Sequence, residues 1–373
     1  MKVLAYNLPA YHRIPENDEW WGEGFTEWDN VRSARPLYRG HVQPMVPYDG
    51  YYYDLSKKED VLHQARLAQE YGLGGFIYYH YWFNGKLLLE KPVEIYRCAE
   101  YEVEFPYCLC WANEQWARTW DGKDGQVLMA QTFGGERDWE NHLQYFMRFF
   151  TDHRYIKRDN MPMLFIYSAS RVQHFDEMME YWNKKIRNYG FDGIYLVEFI
   201  STVNPNAVSM HSHAVTEFEP MYTNRFGISE FKKAYRLICK KLKTTEYLNY
   251  DKIWKALLHR NRTYGGREII QSCFTQWDNT PRKKKAGTVL FGSSPEKFEQ
   301  YFSRLACQVR QDASSEYMII NAWNEWGEGP VLEPSVQNGF KYLQAVKRVI
   351  SQINCVENCN EEKSKNCFSF TYH

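Results

Sequence analysis

The chain has 373 residues with 46 basic and 46 acidic side chains, a balance (sequence pI ≈ 7.1) that lacks the basic footprint of a nucleic-acid binder. No apolar run approaches the ~20 residues that a membrane-spanning helix needs. The start, Met1-Lys2-Val3-Leu4-Ala5-Tyr6-Asn7, reaches Pro9 after one short apolar run, unlike a secretory leader.

Nine cysteines, several inside apolar runs (Cys108, Cys110, Cys273), make a poor disulfide framework and are expected as reduced thiols of a cytoplasmic protein. Aromatic content is high at 17%, with 13 Trp and 29 Tyr, which supplies flat apolar faces with polar edges suited to sugar rings.

Strand-like apolar runs follow one another at 3–8, 75–80, 107–112, 163–167, 194–199, 214–219, 269–274 and 317–322. Most are continuously hydrophobic rather than alternating, as parallel strands buried on both faces are; the sixth is the weakest. Helical patterns separate them. Ser56-Lys57-Lys58-Glu59 reads as a capping box opening a helix that ends near Gly72. Trp139, Leu143, Phe146 and Phe150 form one apolar stripe, and Phe175, Met179, Trp182 and Ile186 another. Ser294-Pro295 gives an N-cap and a first-turn proline before Phe298, Phe302, Leu305 and Val309, and Leu343, Val346 and Ile350 mark the last helix.

Eight strands alternating with helices predict an α/β fold, a (β/α)8 TIM barrel forming one domain over 1–352. A doubly wound open sheet ranks second, since neither G-x-G-x-x-G nor a P-loop is present. Three regions depart from the plain pattern. The first βα connection, from Pro9 to about residue 55, carries Trp20, Trp21 and Trp28, and a loop of that length in a compact domain is usually functional. Residues 228–263 read as a basic helical insert with a solvated outer face. Residues 353–373 read as a flexible tail in which Cys355, Cys359 and Cys367 lack a fourth zinc ligand.

In a barrel of this kind chemistry sits where strands end. Strand one ends at Tyr6-Asn7, strand two at His80-Tyr81-Trp82, and strand three runs into Trp111-Ala112-Asn113-Glu114-Gln115-Trp116. Strands five and six carry Glu198, Glu217 and Glu219, and strand seven ends in Gln276-Trp277-Asp278-Asn279. Strand eight delivers Asn324-Glu325-Trp326-Gly327-Glu328. Tyr6, His80, Tyr81, Trp82, Trp111, Asn113, Glu114, Trp116, Trp277, Asp278, Asn324 and Trp326 are therefore candidate substrate-binding residues for a pocket that stacks on rings and bonds to hydroxyls.

Glu325 and Glu328 are the candidate catalytic pair. Residues three apart on a helical turn have Cβ atoms about 5–6 Å apart, and retaining glycosidases hold their carboxyl groups roughly 5 Å apart. Mutual repulsion and an indole wall would raise one pKa and leave an acid beside a base. The plainer alternative is that both are first-turn carboxylates of a helix. D-x-D, G-x-S-x-G and H-E-x-x-H are all absent. His211 and His213 could share a strand face, but they precede strand six, so neither a metal nor a cofactor is expected.

The motifs Pro15-Glu16-Asn17-Asp18-Glu19-Trp20-Trp21-Gly22, Gly24-Phe25-Thr26-Glu27-Trp28, Tyr78-Tyr79-His80-Tyr81-Trp82-Phe83, Cys110-Trp111-Ala112-Asn113-Glu114 and Asn321-Ala322-Trp323-Asn324-Glu325-Trp326 resemble the WbsX-like family over residues 1 to about 350. That family is associated with polysaccharide and O-antigen synthesis and is related to glycoside hydrolase family 99, the endo-α-mannosidases and endo-α-mannanases. Family 99 enzymes carry Asn-Glu-Trp-His-Glu on a barrel; here the histidine is replaced by Gly327. The resemblance implies a retaining mechanism without an enzyme nucleophile. Glu325 would take the proton of the sugar 2-hydroxyl, which attacks C1 to form a 1,2-anhydro sugar, while Glu328 protonates the leaving oxygen. A 2-hydroxyl trans to the departing group suits α-linked mannose- or rhamnose-type glycans, so an oligo- or polysaccharide substrate is expected. A glycosyltransferase or a non-catalytic glycan-binding barrel remains the alternative.

Overall fold

The computed structural model describes residues 1–118, 126–200, 208–227, 230–260, 263–312 and 314–368, with side chains for all of these except 230 and 356–368. All eight apolar runs form strands: β1 (Lys2–Asn7), β2 (Gly75–Phe83), β3 (Tyr107–Trp111), β4 (Met161–Ile166), β5 (Tyr195–Ile200), β6 (Ala214–Glu217), β7 (Gln271–Phe274) and β8 (Tyr317–Asn321). Neighbours pair in parallel from β1 through β6, and β8 lies between β1 and β7, with Lys2 opposite Tyr317 and Leu4 opposite Gly75. The seam is bridged by one segment. Glu268–Ile269 pairs with β6, Ile270 N donates to Val215 O at 2.9 Å, and the chain continues directly into β7 beside β8. The fold is a (β/α)8 barrel.

Burial on both faces explains why these strands read as uninterrupted apolar runs: every residue of β2, β3, β5, β6 and β8 is buried. Strand β6 stops at Glu217, two residues short of the expected end, and is among the shortest of the eight. The helical stripes also pack as expected. Trp139, Leu143, Phe146 and Phe150 are buried on helix Glu136–Phe150, as are Phe298, Phe302, Leu305 and Val309 on Pro295–Gln311. Ser294 caps the latter by accepting from Lys297 N. No helix among the described residues is long and apolar enough to cross a membrane.

Two local expectations are corrected, and the end of the chain is described only in part. The Ser56–Glu59 capping box does not form; helix Lys58–Glu70 starts from Lys57 without a side-chain cap, because Ser56 N is bonded to Asp54 Oδ1 and Asp60 accepts from Asp54 N. Helix Lys341–Phe368 runs through the boundary expected near residue 352; 369–373, the end of the expected tail, lie outside the described residues. Finally, the basic region 228–263 is only partly a solvated insert. Its second helix, Tyr250–His259, buries Ile253, Trp254 and Leu257 in the barrel's outer layer.

Trp254 is fully buried, stacked on Phe274 of β7 (ring centroids 5.0 Å) and on Tyr301 (5.4 Å). Trp254→Ala is expected to cost about 3–5 kcal/mol, read as a lower urea midpoint at unchanged m-value. A change within experimental error would return this helix to the status of a surface insert.

Candidate active site

A pocket of about 430 Å³ opens at the carboxyl ends of the strands, and each of the eight contributes to it. The wall consists of Leu8 after β1, Tyr79 and Tyr81 of β2, Ala112, Glu114 and Trp116 after β3, and Tyr167 after β4. Phe199 of β5, Phe218 after β6, Trp277 and Arg282 after β7, and Glu325 and Glu328 after β8 complete it. Beneath it the barrel interior is aromatic: Tyr6 stacks on Tyr79 at 5.6 Å, and Tyr167 meets Phe199 at 5.3 Å. An aromatic wall that also carries carboxylates can hold the apolar faces of a pyranose while leaving its hydroxyls to polar groups.

The two glutamates reach the same wall through a tight turn after β8. Glu328 N and Gly329 N both donate to Glu325 O, at 3.0 and 2.8 Å, so the chain closes one helix-like turn. Gly329, at φ +95°, also lies against Asp278, whose backbone N a Cβ there would meet at 2.5 Å. Glu325 is buried, whereas the Glu328 side chain is 22% exposed.

Both carboxylates bind one guanidinium. Arg282, on the short helix Thr280–Lys283 after β7, places Nη2 3.2 Å from Glu325 Oε2 and Nη1 2.9 Å from Glu328 Oε1. Its Nε donates to a third carboxylate, Glu27 Oε1, at 2.7 Å; Glu27 comes from helix Glu27–Ser33 in the long first connection and is buried. Burial alone would weaken the charge on Arg282, but Glu27, Glu325 and Glu328 outweigh it and raise its pKa well above the usual value. Three carboxylates against one guanidinium leave an excess of negative charge. Burial first, with repulsion from Glu328 and Glu27 and only partial relief from Arg282, pushes Glu325 up to about 8.

The remaining candidate residues divide by strand parity and by their bonds. Tyr81, Glu114, Trp116 and Trp277 line the pocket with Glu325 and Glu328. His80, Trp82 and Trp111 do not. Side chains alternate along a strand, so Tyr79 and Tyr81 line the mouth while His80 and Trp82 pack beneath helix Glu136–Phe150. There His80 Nε2 meets His142 Nε2 at 2.8 Å, Trp82 stacks on His142 at 4.4 Å, and Trp111 abuts the same ring at 4.7 Å.

Tyr6 lies below the pocket in the barrel interior. Asn113 bonds Ser168 through both amide atoms at 2.8 Å, tying the β3 end to the β4 end. Asn324 clamps the end of β1, accepting from Leu8 N at 2.7 Å and donating to Leu8 O at 3.0 Å. The Trp326 indole lies behind the turn, with Nε1 donating to Glu333 Oε2 at 2.7 Å. Asp278 binds His41, Gln43 and Thr280; burial would raise its carboxyl, but these bonds outweigh burial and hold it below the usual range. It fastens the first connection to the turn carrying Arg282 rather than facing the pocket. Among the described residues no group of three His, Cys, Asp or Glu side chains comes together as a metal site.

Sequence reading missed Glu27, Arg282, Tyr79, Tyr167, Phe199 and Phe218. The signal for Arg282 was hidden in Pro281-Arg282-Lys283-Lys284-Lys285, which reads as a surface basic run, and Glu27 stood inside a quoted motif without being singled out.

Gly327 makes this arrangement possible. A Cβ there would lie 1.9 Å from Glu27 Oε1 and 2.8 Å from Arg282 Nε. Gly327→Ala is expected to destabilise the protein by about 1–3 kcal/mol or more through this overlap and to displace Glu27 from Arg282. Thermal melts check it: adding Glu27→Ala to Gly327→Ala should recover part of the lost stability, and strictly additive losses would show that the two sites do not compete for space.

The family model described as glycosyltransferase WbsX matches residues 3–346. Two curated relatives, both called uncharacterized protein WxcX from strains of Xanthomonas campestris pv. campestris, are 33% identical over 354 residues, covering 94% of this chain and 50% of theirs. The chain thus spans about half the length of these relatives. Among solved structures, an endo-alpha-mannosidase of glycoside hydrolase family 99 from Bacteroides thetaiotaomicron aligns at TM-score 0.53 and 12% identity, over 95% of this chain and 98% of its own. A glycoside hydrolase-like protein aligns at TM-score 0.56 and 14% identity, over 93% of each chain. At such identities these structures speak for the fold, a barrel shared with a glycosidase. The extent of the family match decides membership: this chain belongs to the glycosyltransferase WbsX family.

Proposed function

We propose that this chain is a retaining glycoside hydrolase acting on α-linked mannose- or rhamnose-type glycans through a 1,2-anhydro sugar. The observation that carries the reading is the placement of Glu325 and Glu328 on one guanidinium, in the wall of an aromatic pocket at the mouth of a barrel shared with a family 99 mannosidase.

In the first step Glu325, as carboxylate, takes the proton of the 2-hydroxyl. O2 bonds to C1, the bond from C1 to the leaving oxygen breaks, and Glu328 gives that oxygen its proton. In the second step Glu328 takes a proton from water, the water oxygen bonds to C1, the C1–O2 bond breaks, and Glu325 returns its proton to O2. Both carboxyl groups end as they began. A sugar hydroxyl is a very weak acid, and a base with raised proton affinity is matched to it once ionised. Arg282 holds both carboxyl groups in place and limits their repulsion.

Reducing-end release from a panel of bacterial α-mannans and rhamnans tests the reading. Glu325→Gln and Glu328→Gln should each fall by at least ~100-fold, about 2.7 kcal/mol of barrier; full activity in both would end the assignment. The pH profile reads the proton that the pair shares. The first step needs one carboxyl ionised and the other protonated, so kcat/KM should fall as pH rises through about 8, where the pair loses its last proton. A kcat/KM that instead rises through this region would show that no proton on the pair is needed and would end the acid role of Glu328. Glu27 adds to the elevation of Glu325, so Glu27→Gln should move this limb to lower pH.

The family description favours a second reading, transfer to a sugar hydroxyl in place of water on the same pair of carboxylates. Product formation that requires an acceptor glycan, with no reducing ends released in water alone, would select it.

A further inference from the structure

Helix Glu230–Leu242 belongs to the connection that leaves the carboxyl end of β6, so it shares the mouth's end of the barrel. It is held there by polar bonds. Arg236 pairs with Glu246 (3.0 Å) and with Asn224 Oδ1 (2.6 Å). Strand Glu246–Asn249 in turn pairs with Thr288–Phe291, and Leu290 N from that pair donates to Trp277 O, at the pocket wall, at 2.8 Å.

The helix is mounted the wrong way round for a soluble protein. An amphipathic surface helix turns its apolar stripe to the core and its charges to water. Here Arg236 and Cys239 face inward, while Phe231, Leu237, Ile238 and Leu242 are 89%, 66%, 56% and 64% exposed. Phe231, Ile238 and Leu242, spaced by seven and four, share one face. The aromatic surface continues onto the neighbouring strands through the exposed rings of Tyr247, Phe291 and Tyr38, the last meeting Tyr247 at 5.2 Å.

The charge around this face is predominantly basic. From 230 to 243 there are five lysines and one arginine against a single acidic residue, Glu230, in a chain whose overall charge is zero. Lys240, Lys241 and Lys243 are exposed, and the nearby Glu246 is buried and paired with Arg236.

We propose that this face docks on a membrane surface containing anionic lipid. Apolar side chains entering the headgroup region, flanked by lysines and tyrosines, are what a helix lying in a bilayer interface presents. A second copy of the chain is a poorer occupant, because a two-fold contact through this patch would set lysines against lysines. Docking would hold the barrel mouth at the lipid surface. On the glycosidase reading above, and only on it, the substrate would be a glycan presented there on a lipid carrier.

Flotation of the full chain with vesicles tests the dock without any glycan, so its failure leaves the glycosidase reading untouched. Binding is expected to vesicles of equal phosphatidylcholine and phosphatidylglycerol and not to phosphatidylcholine alone, and it should weaken as salt rises. Phe231→Ser with Ile238→Ser should lower binding about tenfold or more at unchanged circular dichroism and thermal midpoint. Lys240→Gln and Lys241→Gln should lower it roughly fivefold each. Absence of binding to anionic vesicles, or binding indifferent to all four substitutions, would overturn the proposal. So would a dimer in sedimentation velocity that the Phe231→Ser/Ile238→Ser variant dissolves.

Discussion

A buried guanidinium shared by three carboxylates governs the mouth of this barrel. Taking Arg282 out of water is costly, and the cost is offset only where close partners satisfy its donors. Those partners come from the first connection (Glu27) and the turn after β8 (Glu325 and Glu328), while Arg282 itself follows β7. The ion cluster therefore fixes how three segments, two of them more than 250 residues apart in sequence, meet. Asp278 and Asn324 reinforce the same junction, one holding the first connection through His41 and Gln43, the other holding the end of β1 through Leu8. Residues that read as sugar ligands thus act as the frame of the site.

The same cluster sets the proton balance. With one positive group against three negative ones in a poorly solvated place, full ionisation is disfavoured and one proton is retained well above the ordinary carboxylate range. Burial and the excess of carboxylates raise Glu325, so the turn after β8 keeps one proton between its two carboxyls. Charge count and burial, rather than contact between Glu325 and Glu328 alone, hold the single proton that acid–base chemistry on this pair needs.

The barrel was readable because strands buried on both faces are apolar throughout, and Tyr107–Trp111 or Tyr317–Asn321 look the same from either side. That property also hid which residues face the mouth. In Tyr79-His80-Tyr81-Trp82 every side chain is aromatic and buried, so no change of polarity marks the alternation that sends the tyrosines inward and His80 and Trp82 outward. Glu325 and Glu328 could be read together because they lie on one local turn, and both line the pocket. Glu27 and Arg282 were not legible, since their partnership exists only after the first connection has folded over the β7 turn. Helix Tyr250–His259 was obscured differently: its buried Ile253, Trp254 and Leu257 stand immediately after a run of lysines whose composition dominated the reading.

Gly327 joins these points. The family 99 segment carries a histidine where this chain has glycine, and the change reads at first as a smaller side chain and a roomier pocket. The structure gives the space another tenant. Glu27 Oε1 sits where the Cβ of any residue at 327 would be, with Arg282 Nε close behind it. Glycine at 327 therefore leaves room for a carboxylate from the first connection, together with the guanidinium that balances it. Glu27 raises the proton affinity of Glu325, where a neutral imidazole would leave it alone and a charged one would lower it. The long first connection, conspicuous in the sequence for its tryptophans, thus reaches the candidate chemistry through a single glutamate.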